Sequence, residues 1–298
     1  MGKNKHQHFV PKLYQKGFSE NNFIYSLDKT NKPYKPNQIS IRDSLVKKNM
    51  YSLEKVGLSV ELIIEETLSK IEGNMSFIIK KISNCEELTH EDLLKFIHFI
   101  AIQRLRSPTC LENLKEQCLK VNEVVLKVGI DKLETTKNDI LELAFQNINE
   151  LGKVLWQKKW TFSINTNQNK LFITSDFPVY CVPPQNQNIN AGWGIGSPDV
   201  KIFFPITQNI IAFGQELKGN IKDSVPHYSY IEEEIDERFV DGCNRWTAIA
   251  SDKYIISSKS EILIESLNFS DLDLLYSNLS KRDTMNINDE IIKFTSRF

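Results

Sequence analysis

The sequence has few of the residues that loosen, stiffen or staple a backbone. It has 12 glycines, 10 prolines and five cysteines in 298 residues. The cysteines (Cys85, Cys110, Cys118, Cys181 and Cys243) are odd in number, widely spaced and without a Cys-x-x-Cys pair. That pattern excludes a disulfide framework and a structural zinc knot, and it fits a reducing cytoplasm. Neither sign of charge dominates, with 37 basic and 38 acidic side chains. A globally basic nucleic-acid glove is therefore excluded, although a local basic patch is not. The basic pairs Lys47-Lys48, Lys80-Lys81 and Lys158-Lys159 are scattered and read as solvated faces. Charges interrupt every apolar run well short of the ~20 residues that a bilayer-spanning helix needs. Met1 to His8 leads into proline rather than an apolar core, and His6 stands where a myristoylation motif wants Ser or Thr. A soluble, cytoplasmic protein is expected. Scarce glycine and alanine beside abundant Ile, Asn and Lys match the coding of a bacterial genome rich in A and T.

Hydrophobic residues make up 41% and charged residues 25% of the chain, which is the balance of an ordinary globular protein with a sizeable core. Phe23 to Asp28 alternates like a strand. From Ser59 to Ser83 the period becomes helical, with Leu58, Leu62, Leu68, Ile71, Met75, Ile78, Ile79 and Ile82 as the buried stripe. Thr89 with Asp92 resembles a capping box and starts a helix through Arg106. Pro108 opens another helix, and a fourth runs from Lys137 to Trp156. At Trp160 the period changes to two. Trp160–Asn165 and Lys170–Thr174 read as one hairpin, and Val200–Ile206 with Ile210–Gly214 as a second. Pro183 to Pro198 reads as a mobile surface loop whose Gly192, Gly194 and Gly196 lack the helix start of a phosphate cradle. Ile231 to Ala250 reads as helix and Tyr254 to Ser258 as a short strand.

The fold expected is α+β, a central helical block against a mostly antiparallel sheet, with an N-terminal β segment completing one domain. Its parts are 1–57, 58–157 and 158–298, with no internal repeat.

Polar residues set into this apolar pattern mark the candidate site. Gln103 and Arg106 lie three apart on one face at the end of an apolar helix that Pro108 stops. His8 sits on an extended segment before Pro11. Asp176 leaves the first hairpin within Thr174-Ser175-Asp176-Phe177-Pro178, Asn244 interrupts an apolar helical stripe, and Glu72 lies on the 59–83 helix.

The stretches His8-Phe9-Val10-Pro11-Lys12-Leu13-Tyr14, Gln103-Arg104-Leu105-Arg106-Ser107-Pro108, Thr174 to Pro178 and Phe204-Pro205-Ile206, followed by Asn244, resemble a bacterial family. It is the domain-of-unknown-function family four-two-three-eight, with a His-x-Val-Pro-x-x-Tyr-Leu opening and Gln-x-x-Arg-Thr-Pro and Ser-Asp-x-Pro motifs. The resemblance covers nearly the whole chain. Gln15 stands where the family has Leu, and Ser107 where it has Thr. The resemblance supports the residue set and implies no reaction.

Residue chemistry then assigns roles. His8 exchanges a proton near neutral pH, Arg106 holds phosphate or carboxylate, and Asp176 orients His8 or pairs with Arg106. Those three form the expected catalytic set, while Gln103, Asn244 and Glu72 bind ligand. No metal or other cofactor is expected, because His6, His8, Glu72 and Asp176 lack metal-ligand spacing. The first functional expectation is a metal-independent nuclease-like or phosphoryl-handling enzyme, acting as a toxin or phage-defence effector on nucleic acid or nucleotide. The alternative is a non-catalytic binder or sensor of an anionic nucleotide or metabolite. In the competing architectural reading, Arg106 and Asp176 form a buried ion pair that welds helices to sheet.

Overall fold

Helical period in the middle of the chain and strand period at both ends produce two kinds of layer. The computed structural model describes residues 6–48, 50, 58–127, 135–182, 194–197, 199–216 and 227–267. The N-terminal part holds β1 (His6–His8), α1 (Lys12–Lys16), β2 (Phe23–Asp28), β3 (Asn37–Ser40) and β4 (Val46–Lys48). Four helices follow: α2 (Leu58–Ser83), α3 (His90–Leu105), α4 (Pro108–Lys127) and α5 (Lys137–Trp156). The C-terminal part holds β5 (Lys158–Asn165), β6 (Thr174–Ser175), β7 (Tyr180–Val182), β8 (Lys201–Thr207), β9 (Ile210–Glu216) and β10 (Tyr228–Glu233). It ends with α6 (Glu237–Ala250), β11 (Tyr254–Ser257) and α7 (Ser260–Glu265). The α+β class expected from sequence is the class observed.

The strands form a five-stranded sheet in the order β10-β5-β9-β8-β7, a four-stranded sheet β3-β2-β11-β6, and a ribbon of β1 with β4. Every pairing is antiparallel except β10 with β5. The N-terminal strand β2 and the late strand β11 are neighbours, so the two ends of the described chain close one sheet.

Helix α3 is the element that joins helices to sheet. Its N-terminus is set by a capping box, in which the Asp92 amide donates to Thr89 Oγ1 at 3.1 Å and the Thr89 amide donates to Asp92 Oδ2 at 3.0 Å. Such a cap contributes about 1 kcal/mol. Lys81 at the end of α2 donates to the same carboxylate at 2.8 Å. Burial raises the Asp92 pKa, but Lys81 and the Thr89 bonds outweigh it and hold the carboxyl below its ordinary value. One side chain thus starts α3 and ties α2 to it.

The apolar face of α3 meets the five-stranded sheet through aromatic edges. Phe96 lies edge-on to Trp160 and Phe162, with centroids 5.5 and 5.1 Å away. Tyr14 of α1 stacks on Phe204 at 5.2 Å. All five rings are fully buried, and contacts of this geometry add roughly 0.5–1.5 kcal/mol per pair beyond area burial. Gly214 allows the indole of Trp160 to lie flat on β9, since a Cβ there would sit 3.2 Å from the ring.

Two sequence expectations are corrected. Lys170–Thr174 is not the return strand of β5, whose neighbours are β9 and β10. Asn165 does make the expected turn, accepting from the Asn167 amide at 3.0 Å and donating to the Lys170 carbonyl at 2.8 Å. The chain then leaves that sheet, and only Thr174–Ser175 is strand, paired with β11. The second hairpin, β8 with β9, is present. Ile231 to Glu233 belongs to β10 rather than to a helix; α6 starts after Asp236, whose carboxylate accepts from the Arg238 amide at 2.7 Å. Residues 183–193 and 198, most of the expected surface loop, lie outside the described residues.

Candidate functional site

The junction between α3 and α4 is built from complementary caps. The Arg106 amide donates to the Ile102 carbonyl at 2.9 Å, closing the last turn of α3. Ser107 Oγ accepts from the Cys110 amide at 3.1 Å, and Pro108 occupies the first position of α4. Proline suits that position because its missing N–H would have no partner there.

Arg106 is 6% exposed and projects from this junction onto two other elements. Its Nη1 donates to Glu72 Oε1 of α2 at 3.0 Å, and its Nη2 donates to the main-chain carbonyl of His8. The side chain therefore sews the N-terminal segment, α2 and α3 together. His8 is half-buried, and its Nε2 donates to the Ile41 carbonyl at 3.1 Å. Burial lowers its pKa, the Ile41 and Arg42 backbone contacts oppose this, and the Lys12 and Arg106 charges lower it further. The net direction is down, which favours neutral imidazole.

Gln103, one turn before Arg106, is 1% exposed, and neither polar atom of its amide has a hydrogen-bond partner among the described residues. An unpartnered buried amide is costly, at roughly 1–3 kcal/mol per group. His8 and Glu72 are thus each bonded to Arg106, and Gln103 lies three residues before Arg106 on α3.

Asp176 and Asn244 have other partners. The Asp176 carboxylate accepts from the main-chain amides of Asp252, Lys253 and Tyr254 at 2.9, 2.8 and 2.8 Å. It thereby fixes the turn that leads into β11. Burial pushes its pKa up to about 7, Asp252 adds to the rise, and the three amide bonds oppose it. The expected pairing of Asp176 with Arg106 is replaced by these amides on one side and by Glu72 on the other. Asn244 of α6 accepts from the Ile173 amide and donates to the Leu171 carbonyl, both at 2.9 Å. It satisfies a short extended stretch that has left the sheet.

Two further residues in the same motifs were not singled out from sequence as site members. Arg104 donates to the Val179 carbonyl at 3.0 Å and lies 4.3 Å above the Phe177 ring. The Tyr14 hydroxyl donates to the Pro205 carbonyl at 2.6 Å and meets Thr174 Oγ1 at 2.6 Å. Since its one proton goes to the carbonyl, Thr174 is the donor of the second bond. Burial drives the Tyr14 hydroxyl well above its ordinary pKa, so it stays protonated. Its place in the His8 to Tyr14 motif was the signal available in the sequence.

The four motif regions are therefore joined to one another: His8 to Arg106, Arg104 to Phe177, and Tyr14 to Thr174 and Pro205. This α+β chain belongs to the family described as Protein of unknown function (DUF4238), whose model matches residues 6–261. No curated protein and no solved structure matches the chain. Among the described residues no helix is long and apolar enough to cross a membrane.

Proposed function

We propose that the chain binds an anionic nucleotide or metabolite at the end of α3, as a sensor rather than as a catalyst. The observation that carries this reading is the buried amide of Gln103, without a partner among the described residues, three positions before the buried Arg106, whose carboxylate partner Glu72 is still 28% exposed. A ligand anion competes with Glu72 for the guanidinium, whose fork of donors fits phosphate as well as carboxylate. The Gln103 amide offers one acceptor and two donors, the complement of a nucleobase edge or an amide. Cytoplasmic action accords with the odd, widely spaced cysteines.

The test is thermal unfolding of the full chain across a panel of nucleotides and anionic metabolites, with recovery of the ligand. Binding to the native state alone must raise stability, by about 2.7 kcal/mol at a hundredfold excess over Kd. The expected result is stabilisation that is lost in Gln103→Leu, with the ligand recovered unchanged. Equal stabilisation of wild type and Gln103→Leu, or none at all, overturns the reading.

A catalytic reading draws on a different observation. The Asp176 carboxyl, pushed up to about 7 by burial, sits in the range useful for proton transfer near neutral pH, and burial favours the neutral imidazole of His8. In this reading the chain is a nuclease-like or phosphoryl-handling toxin or phage-defence effector, with Arg106 holding phosphate. Incubation with RNA, DNA and nucleotides should then give products that disappear in both His8→Ala and Arg106→Ala. Identical product profiles from all three proteins eliminate it.

A further inference from the structure

A second cleft, lined by none of His8, Glu72, Gln103 and Arg106, lies in the groove where α2, α3 and α5 meet. It is a cleft of about 320 Å3 lined by Leu68, Ile71 and Asn74 of α2, Lys95, His98 and Ile102 of α3, and Phe145, Ile148 and Asn149 of α5. The volume falls at the small end of ligand pockets, roughly 300–1,000 Å3.

The registers of the three helices divide this lining into two ends. Glu72 pairs with Arg106 and Lys81 with Asp92, so α2 runs antiparallel to α3. His90 packs on Trp156 at 4.7 Å, and a Cβ on Gly152 would lie 3.7 Å from the His98 ring, so α5 also runs antiparallel to α3. Lys95 and His98 therefore lie beside the later part of α5, near Asn149. Leu68, Ile71, Ile102 and Phe145 gather at the other end, toward the close of α3. From Lys95 to Ile102 the groove follows α3 for about 10 Å.

The polar end has the means to take an anion. Among the described residues Lys95 is paired only with Glu91, which is 74% exposed and four residues away on the same helix. Such pairs are weak and readily exchanged for a better-placed carboxylate. His98 Nδ1 donates to the Leu94 carbonyl at 3.0 Å, which fixes the ring on the groove wall. A slender apolar floor with a cation at one end matches a ligand that is itself apolar along its length and negative at one tip.

We propose that this cleft binds a medium-chain carboxylate, with its head on Lys95 and its chain laid over Ile71, Ile102, Phe145 and Ile148. The site is independent of the Arg106 reading and shares no residue with it. The experiment is calorimetric titration of the full chain with hexanoate, octanoate and decanoate, each below its micelle concentration. Decanol and AMP serve as comparison ligands.

Each added methylene should tighten binding about fourfold, as burial of a CH2 predicts. Lys95→Met should weaken decanoate at least tenfold and leave decanol unchanged. Ile148→Trp, which fills the groove from its half-buried edge, should abolish binding of both. Circular dichroism of each free variant confirms that it is folded, and Lys95→Met tests the site independently should Ile148→Trp fail to fold. Affinity independent of chain length, insensitivity to Lys95→Met, or preference for AMP over decanoate overturns the proposal.

Discussion

The Arg106 guanidinium and the Glu72 carboxylate meet at 3.0 Å, one side chain 6% and the other 28% exposed. Removing a partner from a fully buried pair costs roughly 3–5 kcal/mol, because a charge is left without compensation. Partial exposure of Glu72 reduces this. Glu72→Gln should therefore lower stability by about 2 kcal/mol in urea unfolding. The same substitution removes one anionic competitor for Arg106, so it should tighten binding of the anionic ligand while it weakens the fold. A variant that loses stability and ligand affinity together contradicts the competition.

The Tyr14 hydroxyl closes the joint between α1 and the sheets. Tyr14→Phe keeps the ring stack on Phe204 but orphans the Pro205 carbonyl and the Thr174 hydroxyl, both within a buried environment. The expected loss is about 1–3 kcal/mol. An unchanged urea midpoint would show that water replaces the phenol there.

Asp176 and Asn244 should behave as architectural residues in the binding reading. Asn244→Ala leaves the Ile173 amide and the Leu171 carbonyl without their partner, a loss of about 2–4 kcal/mol. Asp176→Ala releases three amides of the turn before β11. Both variants, measured well below their melting temperatures, should retain the ligand affinity of the wild type. A selective loss of affinity in Asp176→Ala, with the fold intact, favours the catalytic reading instead.

The pH dependence of His8 has a definite sign. Its folded pKa lies below the ordinary 6.5, chiefly through burial, so the unfolded chain binds the proton first on acidification. The stability linked to His8 is fully present above about 6.5 and is lost as pH falls through the folded pKa. Between pH 7.5 and 5, wild type should lose more of its urea midpoint than His8→Gln. Equal losses assign the acid sensitivity to other groups.

The helical middle of the fold was legible because periodicity and caps are local. The helix expected over Lys137–Trp156 is α5, and the Thr89 and Asp92 pattern is a true capping box. Strand partners were less legible, because pairing is decided by distant segments. Lys170–Thr174 follows a real turn, yet the Phe172 amide donates to Gln208 and Asn244 takes the neighbouring backbone groups, so no ladder to β5 forms. In the same way Tyr228 to Glu233 has the alternation of a strand, but its partner β5 lies more than sixty residues earlier.

Of the residues expected at the site, His8, Glu72 and Arg106 are connected, whereas Asp176 and Asn244 are tied to other backbone groups. Arg106 and His8 are joined, but through the His8 main-chain carbonyl, which no side-chain pattern reveals. Glu72 rather than Asp176 is the partner of Arg106, because helix packing brings α2 to the end of α3. Arg104 serves as a link to Phe177 and Val179, a role that spacing within α3 does not encode.

The central claim concerns Gln103, and its side-chain amide resonances test it most directly. These are assigned by their absence from Gln103→Leu and followed while the full chain is titrated with those panel nucleotides and metabolites that stabilise it. A ligand bound at the end of α3 should shift both amide protons and slow their exchange, with the same midpoint as the thermal stabilisation. Amide resonances that stay unmoved at saturating ligand would contradict the claim.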